Sequence, residues 1–247
     1  VDRPADISII IPAFNEEKLL AASLRAVSTA AASAFTAAGL AWELVVCDNN
    51  STDRTGEIAR AEGAAVVFEP VNQIGRARNT GAASASGRWL LFIDADSRPS
   101  RELLADAADV ARRADVLLAG STIAFDEASA ALRFACGCWN RVSRLRRLVA
   151  GSFVFVRAAA FREIGGFDLK FFAGEEIDLA LRLQKHVGRR DRQRTVILHR
   201  HPLLTSSRKL RLYRKAELGR FLLKALFRPR KTTASREDCA PWYDGRR

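Results

Sequence analysis

The sequence predicts an α/β fold built on a mostly parallel sheet, and three observations predict it. Short apolar, β-branched runs alternate with amphipathic helical stretches through the first half of the chain. The resulting order, β-α-β-α-β-α-β, joins strands through helical crossovers, which sets neighbouring strands parallel with helices on both faces. Three strand ends carry polar clusters: Asn15 with Glu16, Asp48 with Asn49, and Asp94 with Asp96. A parallel sheet brings such ends to one edge, where open α/β sheets hold their ligands.

Taken in order, Ile7 to Ile11 is a buried strand closed by Pro12, which has no N–H to continue a ladder. Asn15 is a candidate N-cap for a helix with Leu19, Leu20, Leu24 and Val27 on one side, and Glu16 and Glu17 suit its positive end. Trp42 to Cys47 is the second strand, and Thr55 to Glu62 the helix after it. Ala64 to Phe68 is a third, short strand, and Arg76 to Ser86 a helix whose small residues allow close packing. The next strand ends in Asp94. The second half is less regular. Helices are expected over Leu103 to Arg113, Ala130 to Val149, Ala158 to Ile164 and Glu175 to His186, and strands over Val116 to Phe125, Phe153 to Arg157 and Thr195 to Leu198. Residues 1–205 read as one domain, and 206–247 as a basic helical extension.

Composition sets the outer limits. Of 247 residues 48% are apolar, enough for a substantial core and too many for a disordered chain. The formal net charge of +12 suits nucleic acid, an anionic membrane or a phosphorylated substrate. Most of the excess lies after Arg133, and the first hundred residues are nearly balanced, which argues against a basic coat over the whole surface. Cys47, Cys136, Cys138 and Cys239 match no zinc spacing, and Cys47 reads as a buried strand residue. No stretch reaches the roughly 18 apolar residues that span a bilayer. No signal peptide is visible, so a cytoplasmic location is expected, peripheral at the membrane if the basic segments touch it.

The segment Arg88-Trp89-Leu90-Leu91-Phe92-Ile93-Asp94-Ala95-Asp96 is the most informative. An apolar strand ends in two carboxylates that repel each other and lose water, so a cation should compensate them. A divalent metal carrying a diphosphate would do so. Alone, Asp-x-Asp is common, and a polar turn explains it equally.

The surroundings add weight. Ile9-Ile10-Ile11-Pro12-Ala13-Phe14-Asn15-Glu16 is followed by Val45-Val46-Cys47-Asp48-Asn49-Asn50-Ser51-Thr52-Asp53, then by Gly75-Arg76-Ala77-Arg78-Asn79-Thr80-Gly81. Asp94-Ala95-Asp96, Gly165-Gly166-Phe167-Asp168 and Glu175-Glu176-Ile177-Asp178-Leu179-Ala180-Leu181-Arg182-Leu183 come after. In this order the motifs resemble those of the family 2 glycosyltransferases of the GT-A fold, over roughly Ile7 to Leu198.

The resemblance implies a GT-A domain: a Rossmann-like, mostly parallel central sheet flanked by helices, with a smaller mixed sheet on the acceptor side. Residues 7–97 would form the nucleotide-sugar half and 98–205 the acceptor half. It implies a nucleotide-diphospho-sugar donor, with Pro12, Phe14 and Glu16 lining the nucleoside and Asp48 bonding base or ribose. Asn49 stands where the family often has a second aspartate. Gly75, Arg78 and Ala95 fall at donor-side positions, as does Asp94. Asp96 matches the direct ligand of Mg²⁺ or Mn²⁺, with Asp94 nearer the ribose or the metal's outer shell. His199 or His201 is a candidate to complete the coordination, and a surface or core histidine is the equal alternative. Glu176 matches the general base of an inverting transfer, one methylene longer than the usual aspartate, with Glu175 as the fallback. Asp178 reads as a partner of Arg182 at i+4.

The basic helix over Ala130 to Val149 places Trp139, Val142, Leu145 and Leu148 on one stripe among arginines. Such a helix lies on an anionic membrane or packs on its own core, with even weight. A lipid-linked or saccharide acceptor is the expectation, and the oligomeric state is left open. Two other readings compete. A nucleotidyltransferase would want a Gly-rich phosphate loop with Lys or Arg after the first strand, and Ala13-Phe14-Asn15-Glu16 has neither. A nucleic-acid-binding protein would interleave aromatics with basic residues on a shared face, whereas the aromatics here sit mostly in apolar runs, so no nucleic-acid partner is expected.

Overall fold

The computed structural model describes residues 5–149, 152–187, 194–208, 224, 229–239 and 243. The first half alternates as expected: β1 (Ile7–Ala13), α1 (Leu20–Ala31), β2 (Trp42–Asp48), α2 (Thr55–Ala61), β3 (Ala65–Phe68), α3 (Ile74–Ser84) and β4 (Trp89–Ile93). β5 (Ser97–Arg98), α4 (Arg101–Ala111), β6 (Val116–Phe125), α5 (Ala130–Arg146), β7 (Phe153–Arg157), α6 (Ala158–Glu163), α7 (Glu175–Val187), β8 (Arg194–Thr205) and α8 (Pro229–Thr233) follow. Among the described residues the strands make one eight-stranded sheet, ordered β3-β2-β1-β4-β7-β6-β8-β5. β3, β2, β1 and β4 are mutually parallel. β7 runs antiparallel between β4 and β6, and β8 is parallel to β6. The smaller mixed sheet expected in the second half is therefore a continuation of the parallel sheet across β7 rather than a second sheet.

Alternation along the strands builds two apolar layers. Ile7, Ile9, Ile11, Val46, Leu91, Ile93 and Phe155 face α1 and α4. Ile10, Val45, Leu90, Phe92, Val154 and Val156 face α6, α7 and the Ala82 end of α3. Each buried Val, Leu, Ile or Phe side chain contributes about 1.5–3 kcal/mol, so the near-continuous runs of β1 and β4 supply much of the driving force. All four cysteines carry free thiols. Cys47 is fully buried in β2, and burial pushes its thiol up to about 12.

Four expectations change. β1 runs through Pro12 to Ala13, because its pairing with β4 stops at Ile10 and Pro12 has a strand neighbour on the β2 side only. Asn15 does not cap α1, which starts at Leu20. It sits at φ 52°, its Oδ1 accepts from Thr52 N–H at 2.8 Å, and its own N–H donates to Ser51 Oγ at 3.0 Å, so it ties together the loops after β1 and β2. α5 stops at Arg146, where Arg147 turns left-handed (φ 53°) and Leu148 N–H closes on Ser143 O at 3.0 Å. β8 continues past Leu198 to Thr205, with a bulge between the Ser121–Leu198 and Ile123–Leu203 pairs that the sequence reads as the strand's end. The helix expected from Ser206 to Lys231 lies almost wholly outside the described residues, with Leu210, Leu218, Phe221, Leu222 and Phe227.

Gly81 lets α3 approach the sheet. A Cβ there would come within 2.5 Å of Ile10 Cγ2, and Ile10 is fully buried and cannot give way. Gly81→Ala should push α3 off β1 at a cost on the order of 1–3 kcal/mol. A thermal melt lowered by at least about 2 °C is expected, and an unchanged midpoint would show that α3 tolerates the displacement.

Candidate active site

Arg78 projects from the first turns of α3 into the sheet's polar edge and is 2% exposed. Its Nη1 donates to Glu175 Oε1 at 2.9 Å and to Glu176 Oε1 at 2.8 Å, and its Nη2 donates to Asp94 Oδ1 at 2.9 Å. The guanidinium also lies 5.3 Å from the centre of the Phe167 ring, a cation–π distance. One cation thus fixes the end of β4 and the start of α7, elements separated by about eighty positions of chain.

The neighbouring charges hold Arg78 far more firmly protonated than a solvated arginine, with Glu176 the largest contributor against burial. Glu175 goes the other way. Burial first, then repulsion from Glu176, pushes its carboxyl up to about 8, and Arg78 opposes this only in part. A buried carboxyl at this position holds its proton near neutrality. Glu176 is the more accessible of the two, its side chain 11% exposed against 3%. Both stand in the first turn of α7, whose backbone dipole favours negative charge. Asp178, in the same first turn, pairs with Arg182 Nε at 2.6 Å as the i+4 spacing implied.

A cleft of about 260 Å³ opens beside this cluster. Pro12, Phe14, Glu16, Asn49, Arg78, Asp94, Ala95, Asp96, Glu175 and Glu176 all line it, from five separate segments of chain. Glu16 is buried at one end, where Arg208 Nη2 donates to its Oε2 at 2.8 Å and its own N–H donates to Thr55 Oγ1 at 2.8 Å. Asn49 is spent on structure: it donates to Val71 O at 2.7 Å and accepts from Gln73 N–H at 3.0 Å, holding the chain before α3. Asp94 and Asp96 lie in the turn closed by Ser97 N–H on Asp94 O at 3.0 Å, and Asp96 O accepts from Ser206 N–H at 3.3 Å.

Four residues expected here are not among the lining residues. Asp48 turns back to its own loop, where Oδ1 accepts from Ser51 N–H at 3.0 Å and Oδ2 lies 2.8 Å from where a Cβ on Gly56 would stand. It acts as a turn former against the start of α2. Gly75 faces Phe167 and Leu169 at ordinary contact distance, so its lack of a side chain makes no room for a ligand. His201 pairs with Asp106 at 3.0 Å, and His199 lines a different cavity, with residues of β6 and α5. Arg78, read as a donor-side residue, does line the cleft, with its guanidinium engaged by three acidic side chains.

Other lining residues carry little sequence signal. Asn72, Ile74 and Phe172 to Gly174 complete the wall. Gln73 holds the far loop by donating to Leu169 O at 2.8 Å and Phe171 O at 3.0 Å, and Tyr243 donates to Phe172 O at 2.9 Å. Gly174, at φ 74° directly before the acid pair, is the one readable cue, since glycine takes the left-handed turn that starts α7.

Among the described residues no three His, Cys, Asp or Glu side chains are spaced to cage a metal by themselves. The cleft nonetheless sets five carboxylates against one lining arginine, all hard oxygen donors. That donor set fits a divalent cation bound through one or two carboxylates and completed by phosphate oxygens.

The model of glycosyl transferase family 2 matches residues 8–150. Glycosyltransferase AglE of Haloferax volcanii is 30% identical over 183 residues, covering 69% of this chain and 59% of its own, so the chain spans little more than half of that relative. Among solved structures, the mannosyltransferase PcManGT from Pyrobaculum calidifontis, in complex with GDP-Man and Mn²⁺, superposes with a TM-score of 0.67 at 16% identity, over 94% of this chain and 63% of its own. The glucosyl-3-phosphoglycerate synthase of Mycobacterium tuberculosis, in complex with Mn²⁺, UDP-glucose and phosphoglyceric acid, gives 0.58 at 19% identity, over 96% and 80%. The fold is the expected GT-A arrangement, and the chain belongs to glycosyl transferase family 2.

Proposed function

We propose that this chain transfers a sugar from a nucleotide-diphospho-sugar to an acceptor hydroxyl, with a divalent metal, by direct displacement and inversion. The observation that carries the reading is the convergence of Asp94, Asp96, Glu175 and Glu176 beside Arg78 in one cleft. Two structural neighbours of this fold are complexes with Mn²⁺ and a nucleotide-sugar, which supports the same ligand class here.

Each residue then has a task. Pro12, Phe14 and Glu16 wall the nucleoside end, with Glu16 held in place by Arg208. Asp96, with Asp94 behind it, would hold Mg²⁺ or Mn²⁺. Bound there, the metal neutralises charge on the departing nucleoside diphosphate. Glu176 takes the proton from the acceptor hydroxyl as its oxygen attacks the anomeric carbon opposite the diphosphate. Its greater exposure supports this choice over Glu175. Glu175, buried and inclined to keep its proton, serves better as a fixed neighbour than as a base at neutral pH. Arg78 holds both carboxylates in register, which keeps the base within reach of the acceptor.

Asp96→Ala should leave the fold intact and lower Mn²⁺-dependent transfer on the order of a hundredfold or more. Full activity of the purified variant, independent of added metal, would remove Asp96 from the site. Glu176→Gln should slow the chemical step by about 10²–10⁴-fold while donor affinity measured by calorimetry stays within a few-fold. If affinity collapses and single-turnover chemistry does not change, the base lies elsewhere.

Glu175 gives a pH prediction. Its carboxyl is raised from 4.5 to about 8 on folding. Between those values the unfolded chain releases the proton and the folded chain keeps it, so this group's contribution lowers stability as pH rises through the window. Glu175→Gln cannot ionise and should lose less stability between about pH 5 and pH 8 in thermal melts without metal or donor. The same pH dependence in both proteins would mean that Glu175 titrates normally.

A further inference from the structure

α5 is an unusual helix for a surface position. A surface helix normally turns its apolar stripe towards the core, but α5 turns one outward. Phe134, Cys138, Val142 and Leu145 are spaced by four, four and three residues, which places them on one face. All four are exposed, Phe134 by 75% and Leu145 by 77%. Ser143 is the only buried residue of the helix, and Trp139, read on one stripe with Val142 and Leu145, is instead half-buried on the opposite side with Leu132 and Asn140. Asn140 fixes that inner side, exchanging hydrogen bonds with the backbone N–H and C=O of Ile123 at 3.1 and 2.9 Å. The exposed stripe is therefore a consequence of how the helix is fastened to β6.

Its flanks are cationic. Arg133, Arg141 and Arg144 border the stripe on one side and Arg146 on the other, and no acidic residue occurs between Ala130 and Arg147. Behind the helix, Arg133, Arg141, Arg144 and His199 line a cavity of about 590 Å³ against β6 and β8. We infer that α5 is a docking surface for an anionic lipid bilayer, with the apolar stripe entering the headgroup boundary and the arginines meeting lipid phosphates. This is independent of the transfer reaction proposed above.

Charge and shape select this occupant. A second copy of the chain would set arginine against arginine across a two-fold axis. A polyanion such as DNA would engage the arginines and leave Phe134 and Leu145 in water. An interfacial helix needs both, an apolar face and basic flanks. Among the described residues no helix is long and apolar enough to cross a membrane, so α5 would lie on the surface. The helix also starts close to the cleft. Asp126, just before it, accepts from Ser207 N–H at 2.8 Å, and the adjacent Ser206 N–H donates to Asp96 O. A bilayer on α5 would lie along the same sheet edge as the acidic turn.

The test is co-sedimentation of the full chain with vesicles of phosphatidylglycerol and phosphatidylcholine, against phosphatidylcholine alone, at low and high salt. Binding is expected only to the anionic vesicles and should weaken with salt. Phe134→Ser with Leu145→Ser should lower partitioning about tenfold or more. Arg141→Gln and Arg144→Gln should each lower it about fivefold. These positions are exposed, so the variants should keep the parent melting midpoint. Negligible or equal binding to both vesicle types would overturn the inference, as would binding untouched by the Phe134 and Leu145 changes. Duplex DNA binding lost with the arginines but not with the apolar residues would make the surface a polyanion patch. A dimer dissolved by the apolar changes would make it a subunit interface.

Discussion

The structure turns on one arginine shared by three carboxylates. Burying Arg78 without acids, or the acids without Arg78, would leave uncompensated charge inside the protein, a cost of several kcal/mol per ion. Together they satisfy one another, and the arrangement needs α3, β4 and α7 to meet within hydrogen-bond distance. That requirement reaches into the fold. Gly81 allows α3 to lie close on β1, Phe167 supplies the ring beside the guanidinium, and Gly174 makes the left-handed turn that starts α7 at the acid pair. Asn79 contributes from the next position by accepting from Phe167 N–H and donating to Phe167 O, both at 2.9 Å.

A second arginine does a similar job at the other end of the cleft. Arg208 reaches Glu16 from 192 positions away, while Ser206 and Ser207 fasten the same strap to the loops of Asp96 and Asp126. The Glu16 end and the Arg78 end are thus both held by hydrogen bonds to charged groups, which are stronger and more directional than neutral ones. Such fixed groups suit a site that must stabilise charge appearing during reaction without rearranging.

Much of this was legible in the sequence, for physical reasons. Strands such as Trp89 to Ile93 announce themselves because a strand buried on both faces must be apolar throughout, and the alternation with helices dictates parallel neighbours. The convergence of Glu16, Asn49 and Asp96 follows from that topology, whereas Glu176 is reached only through the motif order that resembles the family. What the sequence hides is direction. Asp48 ends a strand at the correct edge, yet its side chain caps its own loop, because a turn of Asp-Asn-Asn-Ser offers backbone N–H groups closer than any ligand. Arg78 reads only as a donor-side position, since nothing local reveals that its partners lie sixteen and nearly a hundred positions away. The sequence leaves open whether His199 and His201 face the cleft or the surface, because a histidine after a strand suits either, and the outward face of α5 could not be chosen from periodicity, which fixes a stripe but not what it faces.

The central claim is that Asp96, beside the Arg78 cluster, binds a cation that carries a pyrophosphate. Crystals soaked with Mn²⁺ and either UDP or GDP, with data collected at the manganese absorption edge, test it directly. An anomalous peak within about 2.0–2.3 Å of an Asp96 carboxylate oxygen and of a diphosphate oxygen, with Glu176 still on Arg78, is the expected result. A nucleotide seated in the cleft with no manganese beside Asp96, or manganese bound at His199 or His201 instead, would contradict the account.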